Sequence, residues 1–189
     1  MAHVNKDEAA AAQASRLPLS ERMAHVHISR ISELPRIELY LDQVLAIVAG
    51  ELAPVMLPGE VAITGSMVNN YVKLHFLAPP VNRRYDRLAI ASLFVIAIFK
   101  PVYTIEEIAY LIRLSLGHSE RQVAYNQFCD YVESAVECAF NRTSMEKEEN
   151  PDDPRQLLWN ACNAFACQLY VRKIYLQDAL SGGEGREGQ

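Results

Sequence analysis

With 189 residues, half of them hydrophobic and 22% charged, the chain has the composition of a packed globule, which excludes a disordered or low-complexity protein. Its longest apolar run, Leu88–Phe99, is about half of the ~20 residues a membrane span requires, so no membrane partner is expected. The net charge of −5 does not exclude nucleic acid: between Val61 and Arg87 the cations Lys73, Arg83, Arg84 and Arg87 stand against Asp86 alone, and screening confines each charge to about 10 Å.

Residues 1–16 read as a disordered tail without the apolar core of a secretory signal. A short helix is expected over Leu19–Ile31. A second is expected from Pro35 to Pro54, with Ile37, Leu41, Val44, Val48 and Leu52 at helical spacing. After a connection through Pro58 and Gly59, a short helix is predicted over Thr64–His75. Pro79 and Pro80 then stop regular helix in APPVNRRY.

An apolar helix follows from Asp86 to Pro101. Thr104 and Glu107 form a capping box for a helix that Gly117 closes. Ser119 and Gln122 suggest a second box, opening a helix to about Asn141. Beyond an acidic linker, Glu146–Asp153, the last helix is expected from Asp153-Pro154 to about Leu180, with Leu158, Cys162, Phe165, Leu169 and Leu176 on one stripe. SGGEGREGQ (181–189) reads as a second disordered tail. The fold class is all-α: a helical region over 17–117 and a C-terminal helical bundle over 118–180.

No catalytic set is legible, and the expectation is a protein that is not an enzyme. Four of the eight glycines lie in the tail, so no loop offers successive bare amides to a phosphate, and no cofactor is expected. His25 and His27 diverge by about 200° on a helix, Cys162 and Cys167 are poorly spaced to chelate, and HExxH is absent, so no metal site is assigned. Asp130, Glu133 and Glu137 share a helical face and read as a solvated acidic stripe. The four cysteines fall within apolar helical patterns. They suit a reducing compartment, and the expected location is cytoplasmic. Tyr103, Tyr110, Phe128, Tyr131, Phe140, Trp159 and Phe165 read as core rather than a ligand cage, and no effector pocket is legible.

One constellation carries chemistry. At about 100° per residue, Ser66, Asn69, Asn70 and Lys73 fall within a ~100° polar arc, opposite Met67, Val68, Tyr71, Val72 and His75. Asparagine bonds adenine through its amide, serine reads several base edges, and lysine meets phosphate. Asn82-Arg83-Arg84-Tyr85 follows as a compact basic patch able to meet the backbone of double-stranded DNA.

In order, Met67-Val-Asn-Asn-Tyr-Val-Lys, Leu77-Ala-Pro-Pro, Arg83-Arg84-Tyr85 and Tyr103-Thr-Ile-Glu-Glu-Ile108 resemble the DNA-binding domain of the MerR-type regulators over about Thr64–Leu116. With Leu39-Tyr-Leu-Asp-Gln-Val44 upstream, the longer pattern looks like domain-of-unknown-function family 1836. The first resemblance implies a helix-turn-helix with a short wing, in which Tyr71, Arg84 and Tyr85 match the regulators' pattern. Asn69 and Asn70 stand where those regulators carry arginine and tyrosine, and His75 where they favour glycine.

The expected DNA-binding set is therefore Ser66, Asn69, Asn70, Tyr71, Lys73, Asn82, Arg83, Arg84 and Tyr85. The resemblance also implies dimerisation through a helix beyond the DNA-binding part. The apolar breadth of Leu157–Val171 independently suggests a homodimer. The alternative is a helical protein-interaction module with no nucleic-acid role.

Overall fold

A computed structural model describes residues 18–117, 119–143 and 154–176. The elements run α1 (Leu19–Ala24), β1 (Leu39–Tyr40), α2 (Leu41–Leu52), a 3-10 turn (Ala53–Val55), α3 (Gly65–Lys73) and β2 (Arg84–Tyr85). They continue with α4 (Arg87–Phe99), α5 (Ile105–Leu116), α6 (Arg121–Asn141), α7 (Pro154–Val171) and a π-helical turn, Arg172–Leu176. The chain is mostly helical, and among the described residues the one sheet is antiparallel with strands of two residues each. The tails, the Glu146–Asp153 linker and the stretch beyond Leu176 lie outside the described residues.

Helix α4 is the centre of the fold. Ile90, Leu93, Phe94, Ile98 and Phe99 are fully enclosed, as expected of a helix that is apolar all round. It packs against α2, α5, α7 and β2, while α6 and α7 make a broad contact with each other. One cluster of buried side chains, Met23 to Leu169, crosses the 117/118 boundary, so the two regions read from the sequence share a core.

Several elements depart from the sequence expectations. Helix α1 stops at Ala24 because the amides beyond it are taken by distant side chains. Ile28 N–H donates to Glu133 (2.8 Å), Ser29 N–H and hydroxyl to Glu51 (3.0 and 2.8 Å), and Ile31 N–H to Asn126 (3.0 Å). The Arg30 guanidinium grips Glu133 with both nitrogens and also Asp130, so two members of the expected acidic stripe anchor this segment. Helix α2 starts at Leu41 rather than Pro35, because Leu39 and Tyr40 are extended and pair with Tyr85 and Arg84; Ile37 is left exposed.

The Thr104–Glu107 capping box forms, with reciprocal bonds of 3.3 and 2.7 Å. The Ser119–Gln122 box does not: α6 opens one residue later, on Glu120, so Gln122 is no longer its third residue. Gly117 ends α5 in right-handed geometry (φ −66°). Leu158, Cys162, Phe165 and Leu169 are buried as the stripe requires. Leu176 is exposed, because the π-helical turn shifts the register of the side chains after Val171. Tyr110 and Cys167 are also exposed, against expectation.

Candidate nucleic-acid interface

Thr64 starts α3, its hydroxyl accepting from Met67 N–H (3.3 Å). Val68 and Tyr71, buried three apart, fix the roll of the helix against the core. Ser66, Asn69, Asn70 and Lys73 are therefore exposed.

The helix ends in a Schellman motif. Phe76 N–H reaches back to Tyr71 C=O (2.9 Å) and His75 N–H to Val72 C=O (3.1 Å), while His75 takes φ +59°. His75 adopts the left-handed geometry that glycine would supply at less cost. Leu77, buried at 4%, anchors the chain as it leaves the motif.

Beyond Pro79 and Pro80 the backbone makes a two-residue hairpin. Val81 and Arg84 exchange N–H···O=C bonds of 3.0 and 2.9 Å across Asn82 and Arg83, whose φ values are +49° and +62°. Two successive positive φ angles are the requirement of a type I′ turn, for which Asn-Gly is the favoured pair. Arginine occupies the glycine position.

Asn82 and Arg83 are exposed at the tip. Arg84 is exposed too, but held: its guanidinium donates to the Tyr40 hydroxyl (3.2 Å) and sits 4.9 Å from the centroid of that ring. Asp86, the one acid of the stretch, caps α4 by accepting from Ala89 N–H (2.8 Å).

Two of the nine expected contacts need correction. Tyr71 and Tyr85 are 8% and 4% exposed and belong to the core, where burial pushes both phenols up from their ordinary range. Tyr85 is drawn in because its strand neighbour is Leu39, itself buried. The remaining seven are exposed. Sequence reading missed Tyr40, which steadies Arg84 from 44 positions away, and no local pattern signals a pairing at that separation.

A family model described as a domain of unknown function, DUF1836, matches residues 29–132, more than half of the chain. The chain belongs to this family. The DUF1836 region contains every residue of the candidate interface, together with Arg30 and its partner Asp130. No curated protein and no solved structure matches the chain. Among the described residues no three His, Cys, Asp or Glu side chains converge as metal ligands, and no helix is long and apolar enough to cross a membrane.

Proposed function

We propose that the protein is a DNA-binding transcriptional regulator of MerR-like type, non-enzymatic and cytoplasmic, with α3 as its reading helix and the Val81–Arg84 hairpin as its wing. The observation that carries this reading is Arg83. A cation at φ +62°, at the tip of a tight turn where glycine would be more stable, sustains backbone strain for a charge that is exposed and has no hydrogen bond or ion pair among the described residues. Its neighbour in sequence, α3, leaves an uninterrupted polar face of the right chemistry for base edges.

The proposed assembly is a homodimer, which would present two reading heads to a palindromic site. Phe165 and Leu169 do not support it, because both are buried within the one chain. Its support is the exposed apolar group Val171, Ile174, Tyr175 and Leu176. Sedimentation at micromolar concentration tests it: Tyr175→Glu should shift a dimer to monomer, and a wild type that sediments as monomer overturns the assembly.

Selection from a random double-stranded DNA library, followed by salt titration, tests the DNA reading. Arg83→Ala should weaken binding to all sequences alike and lower the salt slope by about one unit. Asn69→Ala or Asn70→Ala should cost about 1–3 kcal/mol on the selected site and little on random DNA. If no duplex is retained above background at low salt, the reading fails and the helical interaction module replaces it.

A further inference from the structure

Behind the turn that follows α3 lies a cavity of ≈ 440 Å³, walled by His75–Pro79 on one side and by α4, α5, α6 and Leu158 of α7 on the others. That volume falls in the ~300–1,000 Å³ range of small-molecule sites. Its walls are mainly apolar, with Leu88, Val95, Ile112 and Leu116 only half-buried. Water against such walls lacks hydrogen-bond partners, and an apolar ligand displaces it favourably.

The polar groups of the lining differ in what they leave free. Ser92 and Ser115 spend their hydroxyl hydrogens on the carbonyls of Leu88 (2.9 Å) and Leu111 (3.0 Å). Asp86 is engaged at the N-terminus of α4. Arg121, the first residue of α6, is exposed at the lining and has no hydrogen bond or ion pair among the described residues. Among the described residues, the cavity thus combines an apolar interior with a guanidinium that has no bonded partner, with His75 also in the lining.

We propose that this cavity binds a small, largely apolar organic anion, with its rings or chain among α4, α5 and α6 and its anionic group at Arg121. None of the exposed residues of the candidate DNA interface lines it, so the site is separate from that surface. The proposal does not rest on the DNA reading.

The test uses the full chain, without DNA, and two fluorescent probes that share their rings: 8-anilinonaphthalene-1-sulfonate and uncharged N-phenyl-1-naphthylamine. Both should bind saturably at one site, the sulfonate about five-fold tighter, as expected of one partly exposed charge pair. Arg121→Gln should remove that preference while leaving the affinity of the neutral probe unchanged. Ser92→Phe, which fills the cavity from α4, should abolish both signals with the circular dichroism unchanged; Ser115→Phe fills it from α5 should the first variant not fold. Unsaturable fluorescence, a preference that survives Arg121→Gln, or full binding to a folded cavity-filled variant overturns the proposal. Arg121→Gln changes an exposed side chain and decides the question of charge even if neither filled variant folds.

Discussion

Three side chains near the candidate interface sit at positive φ without being glycine: His75, Asn82 and Arg83. Asparagine tolerates that region because its short polar side chain bonds locally, whereas histidine bears part of the steric cost and arginine bears it in full. His75→Gly should therefore raise unfolding stability by roughly 0.5–1 kcal/mol, the relief of strain partly offset by the freer unfolded chain. His75→Val should lower it. Urea unfolding measures both, and a glycine variant less stable than wild type would show that the His75 side chain contributes more than its backbone costs. Arg83→Gly creates the favoured Asn-Gly turn and should stabilise the hairpin, so any loss of DNA affinity in that variant belongs to the charge rather than to the fold.

At the scale of elements, the two capping boxes written in the sequence met different fates. Thr104 and Glu107 close theirs, and Thr104→Ala should cost about 1 kcal/mol. Ser119 caps nothing, because α6 begins on Glu120, and Ser119→Ala should stay within about 0.5 kcal/mol of wild type. Thermal unfolding of the two variants side by side checks the contrast. Equal losses would show that α6 opens on Ser119 in solution. Helices α6 and α7 also place Cys129 and Cys162 fully inside, and burial pushes the Cys129 thiol up to about 12. A thiol reagent should modify exposed Cys167 in the native protein, and Cys129 and Cys162 only at the rate of unfolding.

Across the whole molecule, the segment His27–Glu33 is fastened to α6 and α2 by charge rather than by regular structure. Burial raises the Glu133 carboxyl, but the Arg30 guanidinium and the Ile28 N–H more than offset it and hold it below its ordinary value of 4.5. A carboxylate lowered on folding contributes stability that is complete above the unfolded value and lost as pH falls through the folded one. Urea midpoints should therefore drop as the pH falls below about 4.5, and Glu133→Gln should flatten part of that drop. Arg30→Ala should destabilise more at neutral pH than in acid, since it leaves a half-buried carboxylate without its partner. An unchanged acid profile in Glu133→Gln would assign the fastening to the apolar contacts of Ile28 and Ile31 instead.

What the sequence by itself determined were features that rest on neighbours along the chain. Val68 and Tyr71 set the roll of α3 and so exposed Ser66, Asn69, Asn70 and Lys73. Asp86 and Thr104 marked helix starts, and the apolar run after Asp86 became the buried centre. These depend on 3.6-residue periodicity and on hydrogen bonds three positions apart, both written locally. What only the tertiary structure decided was where a backbone amide or a side chain found a partner far away. Ile28 and Ile31 left the helical pattern for Glu133 and Asn126, Leu39 and Tyr40 became a strand against Tyr85 and Arg84, and Tyr85 turned inward while Arg84 leaned on Tyr40. The cavity at Arg121 belongs to this second kind, since its walls come from four helices and a turn that meet only in the folded chain. Hydrogen bonds and burial reward proximity in space, and local spacing records that proximity only when the partners lie within a few turns of each other.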